Sequence, residues 1–218
     1  MKVGDCPSCR APVEFRPGGG LVKVCEYCQT VVARGDVRLE NLGKVAALVD
    51  TESPLRVGLR GRHAGQDFTV SGRLQKSNAR GTWDEWCLSF EDESTSWLAE
   101  SEGAWHLLRP VPRPELKSLK GLAVLGTFTL GGVRYVVEEK NQAATLSAEG
   151  QLPSFHAEHL YVDATGPRGA FCTLDEAEGV LEAYQGHRVT LDTLGFDPSE
   201  LSPTPRREAL RDARCTEC

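Results

Sequence analysis

Four cysteines near the N-terminus, in two closely spaced pairs, are the residues best suited to chemistry. Each pair has the form C-x-x-C, and fifteen residues separate the two pairs. Zinc prefers a tetrahedron of sulfur or nitrogen ligands, and each C-x-x-C turn supplies two adjacent corners. We therefore predict a closed structural Zn²⁺ site that leaves no position for a substrate; redox dithiols and an iron centre are the alternatives. The predicted ligands are Cys6, Cys9, Cys25 and Cys28.

The other cysteines suggest different roles. Cys215 and Cys218 end the chain as a third C-x-x-C pair, which we interpret as half of a second, incomplete metal site. This interpretation implies a natural chain that continues past Cys218; an intermolecular metal site and a redox pair are the alternatives. Cys87 and Cys172 lie in strand-like segments without a local Cys/His signature, so we expect both to pack in the core.

A short aromatic and acidic segment, Trp83-Asp84-Glu85-Trp86, is the best candidate site outside the N-terminal cysteine pairs. In a strand, Trp83 and Glu85 share one face while Asp84 and Trp86 share the other. One interpretation is a tryptophan core with solvated carboxylates. The other is a groove that binds a peptide or a small cation such as a polyamine, through ring faces and carboxylates.

The remaining motifs give no catalytic set. His156, Glu158 and His159 lack the spacing of a helical zinc-protease motif, and we expect a solvated strand there. The glycine pairs lack the phosphate-binding patterns, and chain order alone assigns no Ser/His/Asp set. We therefore predict that the protein is not an enzyme.

Composition narrows the functional classes. The net charge is −6 and the pI is about 5.5, with +2 on residues 1–34 and −8 on the rest. This balance disfavours broad binding to nucleic acid or anionic lipid. Lys2 is not followed by the apolar run of a signal peptide, and no run approaches the roughly 20 apolar residues of a spanning helix. We expect a cytoplasmic protein, at most peripheral at a membrane through partners.

The pattern of strands and turns predicts a mainly β protein with a ribbon and two small antiparallel barrel or roll units. Short alternating segments separated by glycine and asparagine turns favour this class. A proline-rich joint separates the units, and a short helix is expected near the C-terminus. The predicted boundaries are 1–34 for the zinc ribbon, 35–54 for a linker, 55–108 for the first unit, 109–118 for the joint, 119–196 for the second unit and 197–218 for the tail.

The two β units share a local pattern that suggests a diverged repeat. The segment 65–73 and the segment 131–139 each place glycine before an alternating aromatic and β-branched strand. A second match pairs 97–103 with 144–150. We also expect the stretch 175–183 to be a short helix or a loop.

These landmarks resemble the bacterial domain-of-unknown-function family 4178 over roughly residues 1–195. The resemblance rests on the Cys-Pro-x-Cys ribbon and on seven later segments: 53–58, 68–75, 83–86, 97–100, 103–105, 149–153 and 161–163. One departure is that Arg10 and Gln29 stand where ribbons commonly have glycine after the second cysteine of each pair. The resemblance implies an accessory role beside phage-shock-type membrane-coat proteins and polyamine-synthase-like enzymes, and no established activity.

From these observations we expect a noncatalytic zinc-ribbon adaptor that mediates protein–protein interaction in a bacterial membrane-stress or membrane-remodelling system. A phage-shock-type coat protein is the expected partner, and contact with a membrane would be indirect. A nucleic-acid-binding ribbon protein is the alternative, which the charge disfavours, and a polyamine or small-cation binding module is a further one.

Overall fold

The N-terminal part of the chain forms the predicted ribbon. We describe a computed structural model of the protein over residues 2–16, 20–35, 39–49, 51, 53–101, 104–112 and 115–202. The ribbon has five strands, β1 to β5, at Lys2–Asp5, Pro12–Phe15, Val22–Val24, Thr30–Arg34 and Leu39–Lys44. β1 and β2 form a separate two-stranded sheet, whereas β3, β4 and β5 pair side by side. Strand β5 falls within the segment predicted as a linker.

The remaining strands form two successive sets of five. The first set, β6 to β10, comprises Arg60–His63, Gln66–Asn78, Gly81–Phe90, Thr95–Ser101 and Ala104–Pro110. The second set, β11 to β15, comprises Thr127–Leu130, Val133–Leu152, Glu158–Thr165, Ala170–Ala177 and Val180–Val189. Two 3₁₀ turns lie at Pro167–Gly169 and Leu191–Leu194. The predicted mainly β class with an N-terminal ribbon is therefore confirmed.

Eight of these strands close into one barrel. The hydrogen-bonded order is β7-β8-β9-β10-β15-β14-β13-β12, and β12 returns to pair with β7. Every pairing around this ring is antiparallel. The β10–β15 pairing joins an edge strand of each set, and the β7–β12 pairing closes the ring, while β6 and β11 lie outside it as short flanking strands. Strands from the two predicted units are thus joined by backbone hydrogen bonds in one closed sheet.

Each set nevertheless has its own hydrophobic core. The first core surrounds Trp86, which is fully buried with Phe68 and Leu98, and the C-terminal Leu194 and Phe196 pack on it. The second core contains other strand residues, among them Tyr135, Val162 and Leu174, and is covered by Leu119. Side chains on the opposite faces of the same strands point into the barrel. The closed ring therefore encloses a space between two separately packed units.

The order of elements matches the predicted repeat. Each set begins with a short strand, a tight glycine turn and a long strand: β6 and β7 around Gly65, β11 and β12 around Gly131 and Gly132. The first sequence match is therefore confirmed at the level of topology. The second match is wrong, because residues 97–101 lie in β9 whereas residues 144–150 lie in β12.

The acidic stretch 175–183 and the C-terminal tail are the two segments where the sequence suggests a short helix. The stretch 175–183 is neither helix nor loop: it is the end of β14, a tight turn and the start of β15. Its acidic residues are divided between the two paired strands and the turn, so the run of acidic charge does not mark a helix. The predicted tail helix lies outside the described residues. Within the described part of the chain, no helix is long and apolar enough to cross a membrane.

The close approach of strands β10 and β15 leaves no space for a side chain at Gly186. A Cβ at Gly186 would overlap the carbonyl oxygen of Leu107 on the paired strand. We expect Gly186→Ala to lower the free energy of unfolding by about 2 kcal/mol, because the seam must move to admit the methyl group. Urea unfolding followed by tryptophan fluorescence measures this change.

Gly121 is the matched control for this substitution. A Cβ at Gly121 meets no atom within 4 Å, so Gly121→Ala should change stability by about 0.5 kcal/mol or less. Equal stabilities of the two variants would show that the seam does not depend on close backbone contact at Gly186.

Candidate metal centre and candidate ligand cavity

The two cysteine turns of the ribbon have the same backbone structure. In the first, the Arg10 N–H donates to the Cys6 carbonyl at 2.8 Å, and in the second the Gln29 N–H donates to the Cys25 carbonyl at 2.9 Å. Arg10 and Gln29 adopt positive φ angles of 64° and 58°. Both residues therefore hold the left-handed conformation that glycine usually supplies, and the departure from the usual ribbon sequence leaves the turn intact.

The four predicted ligand cysteines lie together. The Sγ atoms of Cys6 and Cys28 are 3.7 Å apart, as are those of Cys9 and Cys25, and all four sulfurs lie within 4.8 Å of one another. A tetrahedron with metal–sulfur bonds of about 2.3 Å has sulfur–sulfur edges of about 3.8 Å. The donor set thus fits a tetrahedral thiolate-bound metal ion, and each turn supplies two corners.

The surroundings of Cys28 favour a thiolate. The Thr30 hydroxyl lies 3.2 Å from the Cys28 Sγ. This hydroxyl and the Thr30 N–H lower the pKa of Cys28 to about 6. Since metals bind the thiolate form of cysteine, this contact assists metal binding.

The ribbon is attached to the barrel by backbone pairing and by one buried side chain. β3 pairs with the C-terminal end of β12. The Gln151 amide accepts from the Arg16 N–H at 2.8 Å and donates to the carbonyls of Arg16 and Gly20, each at 3.0 Å. Gln151 is buried, so these contacts fix the ribbon against the barrel.

The other cysteines divide as their sequence context suggests. Cys87 and Cys172 are fully buried among apolar side chains, which confirms the expected packing role. Burial raises the pKa of Cys87 to about 12, so this thiol stays protonated. Cys215 and Cys218 lie outside the described residues.

The barrel encloses a cavity of about 770 Å³ to which all eight strands contribute side chains. Its lining is unusually polar for a protein interior. Besides Asp84, whose charge is matched by Arg73, the carboxyl groups of the lining are Glu85, Glu100, Glu139, Asp163, Asp175 and Glu182. Lys76 and Arg80 are the lysine and the arginine of the same lining among the described residues. The lumen therefore carries an excess of acidic groups.

The predicted groove residues separate onto two faces. Trp83 and Glu85 line the cavity, and the Trp83 indole N–H donates to Glu85 at 3.0 Å. Trp86 is fully buried in the first core. Asp84 accepts a bidentate pair of hydrogen bonds from Arg73, at 2.9 and 2.8 Å, and a bond from Thr51. Trp83 and Glu85 therefore face the lumen, whereas Trp86 lies in the core and the charge of Asp84 is matched by Arg73.

A buried lysine sits among the acids. Lys76 Nζ lies 2.8 Å from Glu85 Oε2 and 3.4 Å from Asp175 Oδ2. Burial alone would lower the pKa of Lys76, but the two carboxylates outweigh it and raise that pKa. Lys76 is therefore protonated and serves as the resident counter-ion of two acids.

A third acid, Asp163, shares this cation without a close ion pair of its own. Burial, together with the charges of Asp175 and Glu85, raises the pKa of Asp163 to about 7, although Thr173 donates a hydrogen bond to it. Within the described residues, no lysine or arginine forms an ion pair with Asp163. The neighbourhood of Asp163 therefore favours an additional positive charge.

Aromatic rings form part of the same wall. The ring centroids of Trp83 and Tyr161 are 5.9 Å apart. The Tyr161 hydroxyl donates to Glu139 at 2.8 Å and accepts from Asn78 at 2.7 Å. These hydrogen bonds hold the Tyr161 ring beside the acids.

The histidines overturn the expectation of a solvated strand. His159 is 6% exposed and lines the cavity. His156 Nε2 lies 3.6 Å from Glu182 Oε2, a contact that raises the pKa of His156. Only Glu158 is exposed as expected. The polar face of β13 points into the lumen and not to solvent, because β13 is an interior member of a closed ring.

Several cavity residues were missed by sequence reasoning, namely Lys76, Tyr161, Asp163, Thr173 and Asp175. A signal was present: His159, Tyr161 and Asp163 alternate with Leu160, Val162 and Ala164 along one strand. Such alternation usually marks one core face and one solvated face, so the pattern alone does not identify a lumen.

The model of a domain of unknown function, DUF4178, matches residues 56–191. The chain belongs to this family. The matched segment contains the whole barrel and leaves the ribbon outside. No curated protein and no solved structure matches the chain. The family is uncharacterised, so functional inference for this DUF4178 chain rests on the two sites themselves.

The geometry of the cysteine site predicts a tightly bound metal ion. We expect the purified protein to contain one equivalent of zinc that is lost in Cys25→Ser, because three thiolates hold the ion far less tightly than four. Elemental analysis by mass spectrometry measures the content. Removal by a chelator should unfold residues 1–34 while the barrel strands remain folded.

Cys87→Ala is the control for metal content. This substitution removes a thiol that packs in a core and should leave the bound zinc unchanged. A ribbon whose amide resonances keep their dispersion after complete metal removal would contradict the structural role.

Proposed function

We propose that the barrel is a noncatalytic binding module for a small organic cation, such as a polyamine, and that a structural zinc ion stabilises its ribbon. One observation carries this proposal: the carboxyl groups of Glu85, Asp163 and Asp175, each only partly exposed, share the single charge of Lys76 on the wall of one cavity. A cation that enters the lumen relieves this imbalance.

The lining favours an organic cation over a metal ion. The Trp83 and Tyr161 rings present π faces that attract ammonium groups. A cavity of about 770 Å³ accommodates a molecule and not only an ion. Among the described residues, the one group of three or more metal-type ligand atoms within 4.8 Å is the cysteine set.

The same groups argue against catalysis. Lys76 is held protonated by Asp175 and Glu85, so its amine is not a nucleophile. The Cys87 thiol is fully buried, and its pKa of about 12 keeps it protonated. Binding is therefore the role that the lumen supports.

Spermidine is a direct probe of this function. We expect a saturable heat of binding to the intact protein by calorimetry, and about tenfold weaker binding by Asp163→Asn, because the variant lacks the unpaired carboxylate. Affinity for the intact protein should rise as the pH passes upward through about 7, where Asp163 ionises. Asp163→Asn should lose the part of this pH dependence that comes from Asp163, so its affinity should rise less with pH than that of the intact protein, and the remaining rise comes from His156, whose pKa is also raised.

Two controls separate binding from folding. Asp67→Asn removes the same charge from an exposed position on β7 and should leave binding unchanged. The pKa of Asp163 is raised on folding, so this group reduces stability as pH rises from about 4 to about 7. Asp163→Asn should therefore be more stable than the parent at pH 8. Absence of heat with millimolar spermidine would end the proposal.

A second candidate function, the protein adaptor, is favoured by one feature of the ribbon. Tyr27 lies at the turn between Cys25 and Cys28 with 73% of its surface exposed. Exposed tyrosine is frequent at protein interfaces, where the ring and hydroxyl both contribute. The family resemblance implies a phage-shock-type membrane-coat protein as the partner, with membrane association only through it.

A binding assay with purified coat protein tests the adaptor function. We expect capture by the intact chain and a loss of about tenfold in affinity for Tyr27→Ala. Val180, 58% exposed at the far turn between β14 and β15, provides the control Val180→Ala. Equal binding by all three proteins would show that Tyr27 of the ribbon does not contribute to the interface. Absence of capture would show that the coat protein is not a partner.

A further inference from the structure

His159 is a buried polar side chain whose hydrogen-bonding capacity is unused. It is 6% exposed, it lines the lumen, and neither Nδ1 nor Nε2 has a hydrogen-bond partner. The Asp175 Oδ2 lies 3.8 Å from Nε2, beyond hydrogen-bond distance. An unpaired donor or acceptor in a protein interior is unfavourable. A residue in this condition on a cavity wall indicates a place where a ligand bonds.

His159 is uncharged in these surroundings. Burial and the charge of Lys76 lower its pKa, against the opposing carboxylates of Asp175 and Glu85; His156 also faces it. A neutral imidazole offers one N–H donor and one nitrogen acceptor. A hydroxyl or an amide can either donate to the acceptor nitrogen or accept from the N–H of such a ring, so it can bond with whichever nitrogen faces the lumen.

The neutral His159 and the acidic Asp163 lie at different places on strand β13. His159 and Asp163 both point inward from β13 and are four residues apart, so their backbones are separated by about 13 Å. Tyr161 lies between them on the same face. The triad of Lys76, Glu85 and Asp175 contributes to the field at both ends.

We propose that the lumen binds an extended amine with an uncharged polar group at its far end, which is held by His159 while the ammonium group lies near Asp163. This inference rests on the proposed function of the barrel and adds to it the class of ligand. Lys76 is ion-paired with Asp175 and Glu85, the acids that act on His159, whereas Asp163 has no such partner among the described residues, so the ammonium group is assigned to the Asp163 end. The Trp83 and Tyr161 rings would contact the chain between the two ends.

Three molecules of equal length test this assignment. Aminooctanol carries an amine and a hydroxyl at opposite ends, octylamine lacks the hydroxyl, and diaminooctane has an amine at both ends. Calorimetry on the intact protein should show aminooctanol binding about tenfold more tightly than octylamine, because only the former bonds with His159. Diaminooctane should also bind more weakly than aminooctanol.

Two variants assign the preference to His159. His159→Leu should abolish the difference between aminooctanol and octylamine while octylamine affinity stays unchanged. His159→Asn keeps a donor and an acceptor and should retain part of the difference, which controls for disturbed folding. Circular dichroism of each variant reports the barrel fold.

Three results would contradict the role of His159 in ligand binding. Equal affinity of aminooctanol and octylamine for the intact protein would overturn this inference and leave the cation-binding function standing. A His159→Leu variant that weakens both molecules equally would do the same. Failure of all three amines and of spermidine to bind would overturn the inference and the proposed function together.

Discussion

Closure of the barrel is the constraint on which the rest of the structure depends. β7 pairs with β12 along one seam, and β10 pairs with β15 along the other. These two pairings turn eight strand faces that would otherwise meet solvent into the wall of a single lumen. Backbone hydrogen bonding is complete around the ring, so no edge remains in it for another chain to join. The separation of a polar lumen from two apolar cores therefore follows from the closure of the barrel.

The electrostatics of the lumen follow from that closure. A lysine with two carboxylates is unremarkable on a surface, where such a pair contributes little. In the lumen the same groups are largely removed from water, and desolvation offsets much of their attraction. A third carboxyl, Asp163, then cannot be ionised without further cost, and its pKa rises to about 7. Apolar residues at these positions would stabilise a barrel at least as well, so the stability of the fold does not account for the polar set.

The sequence predicts the metal site well and the lumen poorly, for a physical reason. Cys6 and Cys9 are three residues apart, as are Cys25 and Cys28, so local turn geometry already places each pair for one metal ion. The lumen instead depends on residues from eight strands, brought together by register between distant segments. Lys76 and Asp175, for example, are ninety-nine residues apart in the chain. Alternation shows that Trp83 and Glu85 share a face; only closure shows that this face is internal.

The metal centre and the lumen are joined through two adjacent residues of β4. Val31 and Val32 are both fully buried but point to opposite faces. Val32 packs with Cys6 and Cys25 in the metal-site cluster, whereas Val31 packs with Trp97, Leu108 and other side chains that line the cavity.

Val22, Val24 and Val45 of the ribbon join the same cavity-side cluster. The ribbon thus places apolar side chains beside a polar lumen, and a metal ion bound by the four cysteines would fix the strands that carry them. Since a ribbon of this size has little core of its own, the energy of metal binding would also keep these side chains in place.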